Sequence, residues 1–145
     1  MKKLIMYSLI ISIVGFASCE KKITPPSPVK KAFDQRVSAA EDLEWEYDSE
    51  DKLWEVEYRD KATEFSATFD ENGKWLETEK TIEFSELPEA LQEVLKAVYA
   101  DYKIVELEWI DTPQGVFYEV DFELDSGEEE TELELLFSPE GKIIQ

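Results

Sequence analysis

The sequence predicts an α+β protein in which two helices pack on one face of an antiparallel sheet. Segments that alternate apolar and acidic residues follow each of two amphipathic helical segments, and the second group of segments repeats the first. A strand that alternates in this way buries one side and exposes the other, so helices are needed on one face only. We therefore expect a tandem repeat of one helix plus an antiparallel β-meander.

The composition excludes several classes of function. The 145 residues include 35 Asp and Glu but only 15 Lys and Arg, so the net charge is −20, and histidine is absent. Nucleic acids and anionic lipid surfaces attract basic proteins, and neither is an expected partner of this chain. Without histidine, Ser-His-Asp and Cys-His catalysis and His-ligated zinc are excluded. We expect no enzymatic activity, no cofactor and no metal site.

The N-terminus has the layout of a secretory signal. Two lysines precede the uncharged stretch 4–16, and small residues then lead to Cys19, the sole cysteine. Residues 16–19 resemble a bacterial lipobox, in which this cysteine is lipidated after cleavage. We therefore predict a lipoprotein signal peptide at 1–18, and the alternative is an ordinary signal peptide with an incidental cysteine.

A proline-rich tether follows the predicted lipid anchor. Residues 19–28 contain three prolines and no apolar periodicity, which is typical of a semi-extended spacer. Glu20 stands where Asp would suggest retention in the inner membrane, so the expected location is the cell envelope at the outer membrane, on either its periplasmic or its outer surface. The lipid is the only expected contact with the membrane.

Self-comparison reveals the repeat. Residues 43–45 (Leu-Glu-Trp) recur at 107–109, and the alternating segment 53–58 recurs at 117–122, both at an offset of 64. We place the first repeat at residues 28–84 and the second at 85–145, as parts of one pseudo-symmetric domain.

Each repeat begins with a predicted helix. Ser27 and Pro28 are suited to a helix start, and Pro88 and Glu89 start the second helix. The expected apolar stripes are Val29, Phe33 and Val37 in the first helix, and Leu91, Val94, Leu95, Val98 and Tyr102 in the second.

Three alternating strands follow each helix, and Gly73 and Gly141 mark hairpin turns. The residues expected to face the helices are Leu43, Trp45, Tyr47, Trp54, Val56, Tyr58, Phe65, Ala67 and Phe69 in the first repeat, and Val105, Leu107, Trp109, Tyr118, Val120, Phe122, Leu124, Leu133, Leu135 and Phe137 in the second.

The opposite face of the predicted sheet is acidic. Like charges on neighbouring strands cost stability, so a face of one sign favours a binding role for a basic partner, although a merely solubilising surface would have the same pattern. The expected carboxylates are Glu44, Glu46, Glu55, Glu57, Glu64, Glu106, Glu108, Glu119, Asp121, Glu123, Glu132 and Glu134, against Arg59.

Four apolar residues interrupt this acidic face: Leu53, Ile110, Phe117 and Leu136. Leu53 and Phe117 are equivalent positions of the two repeats. If they lie close together, they form an apolar centre rimmed by carboxylates, as in a protein-binding surface. The alternative is that a sheet edge, a twist or a chain contact buries them. The predicted binding residues are Glu55, Glu57, Glu119, Asp121, Leu53 and Phe117.

Three motifs resemble the PepSY-like family of bacterial envelope proteins, which is similar to the beta-lactamase inhibitor protein. They are the Leu87-Pro88 helix start, the aromatic-Glu-Val strands at 54–56 and 118–120, and Phe-x-x-x-Gly-Lys at 69–74 and 137–142. The resemblance covers roughly residues 28–145 and implies the fold together with a non-enzymatic role in binding proteins through the sheet. It carries over no catalytic residue.

The sequence favours the hypothesis of an envelope lipoprotein that binds a basic protein, peptide or polycation. The alternatives are a periplasmic inhibitor or regulator of a secreted enzyme, such as a protease or beta-lactamase, and a carboxylate-based hydrolase that uses a pair such as Glu55 and Glu57. Acidic turns at 70–73 and 125–128 raise the question of weak calcium binding, but neither has the spacing of a calcium loop. Hairpin turns are the better interpretation of both.

Overall fold

The computed structural model describes residues 23–125 and 130–144. The predicted signal peptide, Cys19, the first residues of the tether and most of the acidic turn at 125–128 lie outside these residues. Within the described ranges, no helix is both long enough and apolar enough to span a membrane.

The described chain forms an antiparallel seven-stranded sheet with two α-helices, so the α+β prediction is confirmed. The strands lie side by side in the order of the sequence. The elements are α1 (Ser27–Arg36), β1 (Glu41–Asp48), β2 (Leu53–Asp60), β3 (Thr63–Asp70), β4 (Trp75–Thr81), a 3₁₀ turn (Phe84–Glu86), α2 (Glu89–Val98), β5 (Lys103–Thr112), β6 (Gly115–Asp125) and β7 (Glu130–Phe137).

Strand β4 was not expected, and it joins the two halves of the sheet. Its earlier part pairs with β3, where Ser66 lies opposite Glu79, and its later part pairs with β5, where Thr81 lies opposite Glu108. Sequence reasoning missed this strand because Glu77 and Glu79 alternate with Thr78 and a lysine, which leaves no apolar side.

Each helix packs against its own half of the sheet. Helix α1 buries Val29 and Phe33 against β2 and β3, and the Phe33 ring lies 5.1 Å from the Tyr58 ring and 6.4 Å from the Phe69 ring. Helix α2 buries Leu91 and Leu95 in a second cluster with residues of β5, β6 and β7. The helix-covered face therefore holds two separate cores in one sheet.

Two expectations about the helices are wrong, one about the start of α1 and one about the end of α2. Ser27 lies inside α1 and makes no capping hydrogen bond, because Pro26 holds the N-cap position. In α2, the chain leaves helical geometry at Tyr99, so Val98 is 65% exposed and Tyr102 lies beyond the helix. Tyr102 still reaches the core, since its ring lies 5.7 Å from that of Phe122.

The turns that end the two halves share one hydrogen-bond pattern. The Gly73 amide donates to the Asp70 carbonyl at 2.9 Å, and the Gly141 amide donates to the Ser138 carbonyl at 2.9 Å. Both glycines have positive φ, 82° and 77°. The Asp70 carboxylate accepts two further backbone amides at 2.8 and 2.9 Å, so this segment is a hairpin turn, as expected.

The first hairpin of each half has a different register. Trp45 pairs with Val56, whereas the equivalent Trp109 pairs with Tyr118, which corresponds to Trp54. The cause is the turn, because β1 and β2 are joined by four residues but β5 and β6 only by Pro113 and Gln114. A shift of two residues leaves every side chain on its original face.

Candidate functional site: a carboxylate face

The sheet face opposite the helices carries carboxylates on neighbouring strands, and we call it the carboxylate face. The strand register sets these groups directly across from one another, where side chains lie about 5 Å apart. The facing pairs are Glu44 with Glu57, Glu46 with Glu55, Glu108 with Glu119, Glu106 with Asp121, Asp121 with Glu134, and Glu123 with Glu132.

The unexpected strand β4 contributes two central members, Glu77 and Glu79. Glu77 lies opposite Thr68, and Glu79 lies between Ser66 of β3 and Ile110 of β5. Because β4 has three strands on each side, these carboxylates lie in the middle of the face. The period-two spacing of the two glutamates was the available signal in the sequence.

Burial and mutual repulsion raise the pKa of several of these carboxyl groups. Burial, with repulsion from Glu77 and its neighbours, raises the pKa of Glu79 from 4.5 to about 9. Burial and nearby carboxylates also raise the pKa of Glu108 to about 7 and that of Asp121 to about 6. Ionised carboxylates are disfavoured where water is excluded and like charges converge. At neutral pH, Glu79 therefore holds a proton that an isolated carboxylate would release.

Cations in the described part of the chain do not neutralise this centre. Arg59 pairs with Asp42 at the edge of the sheet, and Lys80 pairs with Glu86 at 3.2 Å. Among residues 23–125 and 130–144, no lysine or arginine forms an ion pair with Glu79 or Glu108. Within the described residues, the centre of the face at Glu79 and Glu108 therefore lacks a neutralising cation, whereas Glu123 nearer the β7 edge pairs with Lys103 at 2.7 Å.

A groove of about 600 Å³ opens where β3 and β4 separate. The two strands pair as far as Ser66 and Glu79, after which β4 continues beside β5 alone. Arg59 and Lys80 also border the groove. Its acidic lining consists of Asp42, Glu44, Glu57, Glu64, Glu79 and Glu108.

The predicted binding carboxylates lie in two groups. Glu55 accepts a hydrogen bond from the Ser66 hydroxyl at 2.7 Å, and Glu57 has a pKa raised by burial and by neighbouring glutamates. On β6, Glu119 is only 3% exposed and its carboxylate oxygens lie within 4.8 Å of those of Asp121 and Glu134.

In the described part of the chain, one set of acidic residues could hold a metal ion, and it consists of Glu119, Asp121 and Glu134. Their oxygen donors are of the kind that calcium prefers. One oxygen of Asp121, Oδ1, is buried without a hydrogen-bond partner in the described part of the chain. The alternation in the sequence predicts that these residues lie on one face of the sheet, but it does not predict that their carboxylates lie close together.

The expected apolar centre is not formed by Leu53 and Phe117. Leu53 is in β2 and Phe117 in β6, and three strands separate them, a distance of about 19 Å at ordinary strand spacing. Phe117 instead lies opposite Ile110, which is 1% exposed, and Leu136 is also buried. The alternative of burial is therefore correct for Ile110 and Leu136.

The tryptophans of the helix-covered face are partly buried, as core residues are. Trp45 and Trp54 pack against the first cluster and Trp109 against the second. Trp45 lies 5.5 Å from the ring of Phe33 in α1. The expectation that these residues face the helices is confirmed.

Three solved structures are similar to this chain. A DUF2874 family protein from Bacteroides uniformis is 19% identical, with a TM-score of 0.75 over 84% of this chain and 88% of that one. A BLIP-like protein from Bacteroides fragilis is 19% identical, with a TM-score of 0.72 over 85% of each chain. A protein from Bacteroides eggerthii described as periplasmic is 15% identical, with a TM-score of 0.73 over 84% of this chain and 87% of that one. At these identities, the likeness shows the fold alone.

No curated protein matches the sequence. The profile of the PepSY-like family, which is described as beta-lactamase-inhibitor-like, matches residues 52–145. This match covers more than half of the chain and confirms the resemblance that the strand and turn motifs predicted. The chain therefore belongs to the PepSY-like family.

Proposed function

We propose that this protein is a non-enzymatic binding module of the cell envelope, and that its carboxylate face binds a basic protein, peptide or polycation. The observation that supports the proposal most is the group of carboxylates on β4, β5 and β6, among which the pKa of Glu79 is raised to about 9 and that of Glu108 to about 7. A surface needed only for solubility gains nothing from burying its charges.

Without a partner, this arrangement of carboxylates destabilises the folded protein. Facing carboxylates repel one another, and half-buried ones lose hydration, so both effects destabilise the folded state. Lysine or arginine side chains from a partner would supply the missing positive charge and favour ionisation of the same groups. Binding of a cationic surface would also be fast at low salt, because the field of the face attracts it over a distance.

A second candidate is an inhibitor or regulator of a secreted enzyme, such as a protease or beta-lactamase. The description of the family as beta-lactamase-inhibitor-like and the BLIP-like name of one structural neighbour favour it. In this case, the same face would cover an enzyme surface. Inhibition of one purified enzyme would separate this function from general binding of cations.

We propose further that Cys19 anchors the domain through a lipid and that 19–28 is a tether, which puts the domain at the outer membrane. The periplasmic description of the B. eggerthii neighbour supports an envelope location. Cys19→Ser should release a folded, soluble protein, and mass spectrometry of the wild type should show a lipid on the N-terminal peptide. An unmodified wild-type cysteine would contradict the anchor.

We also propose that the two halves of the domain are copies of one unit. The shared hydrogen-bond pattern at Gly73 and Gly141 supports this origin, as does the placement of one helix over three strands in each half.

The binding proposal is tested by neutralising the face. One variant combines Glu55→Gln, Glu57→Gln, Glu119→Gln and Asp121→Asn. Its control neutralises the same number of carboxylates on exposed sites away from the face. The control changes are Glu50→Gln, Glu89→Gln, Glu93→Gln and Asp101→Asn.

Association with immobilised poly-L-lysine is measured over a range of salt. The face variant should associate more slowly and with a weaker dependence on salt than the control variant, because both have lost the same number of carboxylates and only one has lost those of the face. Equal behaviour of the two variants would show that net charge alone governs binding, and it would leave the carboxylate face without this function.

A second variant, Leu53→Ser with Phe117→Ser, tests the predicted apolar contacts. It should speed dissociation from a protein partner while leaving association unchanged, since apolar contacts act after encounter. Unchanged dissociation would remove these two residues from the proposed site.

A further inference from the structure

The two outer edges of the sheet differ in how they are covered. Beyond β7 the chain turns back, and the Ile144 amide donates to the Leu136 carbonyl at 2.7 Å. Ile143 forms a bridge with Phe137, and the Ser138 amide donates to the Lys142 carbonyl at 2.8 Å. The C-terminal segment therefore occupies hydrogen-bonding groups along this edge.

The opposite edge has no such cover in the described part of the chain. Strand β1 pairs with β2 on one side, and no residue of 23–125 or 130–144 pairs with its other side. Seven of its eight residues are exposed, and Trp45 is the exception. Alternate amides and carbonyls along such a strand point outward and are able to pair with another extended segment.

The side chains of β1 specify what kind of segment fits. Toward the helices it presents Leu43, Trp45 and Tyr47, and the first and last are each 36% exposed. Toward the carboxylate face it presents Glu44 and Glu46, both exposed and without an ion pair in the described residues.

We propose that the outer edge of β1 binds an extended segment of a protein partner as an eighth strand, in which lysine or arginine alternates with apolar residues. The basic side chains would lie across from Glu44 and Glu46 on the carboxylate face, and the apolar ones would cover Leu43 and Tyr47 on the other face. This inference goes beyond the proposed function, because it requires the edge of the sheet and backbone pairing.

A second copy of this chain is the less suitable occupant. Antiparallel pairing of two β1 strands would set glutamates opposite glutamates, and like charges directly across strands are destabilising. The carboxylates of β1 thus act against self-pairing and in favour of a cationic strand, which is how exposed edges commonly achieve selectivity.

The test uses the full-length chain and three synthetic octapeptides. One alternates lysine with valine, the second has the same composition with its lysines in one block, and the third alternates glutamate with valine. Amide hydrogen exchange is followed by NMR. The alternating lysine peptide should slow exchange of the outward amides of Glu41–Asp48 by about tenfold or more, because these amides gain hydrogen-bond partners. The block peptide, which carries equal charge but cannot match the alternation, should not.

Charge exchange on the protein completes the test. The variant Glu44→Lys with Glu46→Lys should bind the lysine peptide about tenfold more weakly and should bind the glutamate peptide instead, because the cross-strand charges are reversed. The control, Glu89→Lys with Glu93→Lys, alters two exposed glutamates of α2 that lie outside the carboxylate face, and it should leave protection of β1 by the lysine peptide unchanged.

Equal protection by the alternating and block peptides, or protection confined to strands other than β1, would overturn the proposal. Protection of β1 that rises with protein concentration in the absence of peptide would identify a second copy as the occupant and would also overturn it.

Discussion

The two halves of the sheet carry the same sequence pattern in different surroundings. Glu44 of β1 and Glu108 of β5 occupy the same place in the recurring Leu-Glu-Trp sequence, yet Glu44 is exposed on an edge strand, whereas Glu108 lies inside the sheet with a pKa raised to about 7. The difference follows from position, since β1 has one neighbouring strand and β5 has two. The state of a carboxylate in this fold therefore depends on where its strand lies.

The hairpin register adds a second difference. Glu44 faces Glu57, but Glu108 faces Glu119, the equivalent of Glu55. A two-residue change in turn length is therefore enough to exchange the facing partners of equivalent residues while every side chain keeps its face. The matching sequence pattern of the two halves predicts the face of a residue, and the turn decides its partner.

The largest expected effect on the free energy of unfolding comes from truncating a buried side chain in either core. It also tests whether the two halves fold as one unit. Phe33→Ala should lower the free energy of unfolding by about 3–5 kcal/mol, because it removes a fully buried ring from the first core. Leu91→Ala should cost about 2–5 kcal/mol in the second core. Since β4 joins both halves in one sheet, each variant should unfold in a single transition in urea, measured by tryptophan fluorescence and far-UV circular dichroism. Separate transitions would show that the halves fold independently.

A smaller effect is expected at the two glycine turns. In Gly73→Ala the new Cβ would lie 2.5 Å from the Pro28 carbonyl oxygen, whereas in Gly141→Ala it would lie 2.7 Å from a methyl group of Val94. A side chain is able to rotate away and backbone is not. We expect losses of about 2 kcal/mol or more at Gly73 and about 1 kcal/mol at Gly141, where the positive φ is the main remaining cost. Thermal unfolding of the two variants measures this difference, and an equal or larger loss at Gly141 would contradict it.

The smallest expected effect on the free energy of unfolding comes from replacing Glu108, with Glu44 as the control, and it depends on pH. The pKa of Glu108 is raised from 4.5 to about 7, so between these values the folded state binds more protons than the unfolded state. Stability due to this group is therefore present below pH 4.5 and is lost as pH rises through 7. At pH 8, Glu108→Gln should raise the free energy of unfolding by about 1 kcal/mol.

The matched control, Glu44→Gln, should change that free energy by less than about 0.5 kcal/mol, because its carboxylate is exposed. Urea unfolding at pH 5 and pH 8 measures both variants. If Glu108→Gln were neutral at pH 8, or equally stabilising at both pH values, the raised pKa would not contribute to stability.

Much of the fold follows from the sequence, because apolar alternation is a local signal. It predicts the helical segments around Phe33 and Leu91, the six amphipathic strands and the inward face of Trp45. It does not predict β4, which is held by its neighbours and has no apolar face of its own.

The chemistry of the face was less accessible to sequence reasoning. The convergence of Glu119 with Asp121 and Glu134, and the burial of Glu79, depend on which strands lie beside each other. The separation of Leu53 from Phe117 has the same origin, because β2 and β6 lie in opposite halves of the sheet. Only the tertiary arrangement determines these distances.

Proton release on binding tests the function of the carboxylate face most directly. Poly-L-lysine is titrated into the protein at pH 7 in two buffers of different ionisation enthalpy, and the difference in heat gives the number of protons released. Cations should lower the raised pKa values of Glu79 and Glu108, so we expect about one proton or more to leave per protein molecule, and fewer from Glu79→Gln. Binding without proton release, or release that is unchanged in Glu79→Gln, would show that polycations do not bind at the centre of this face.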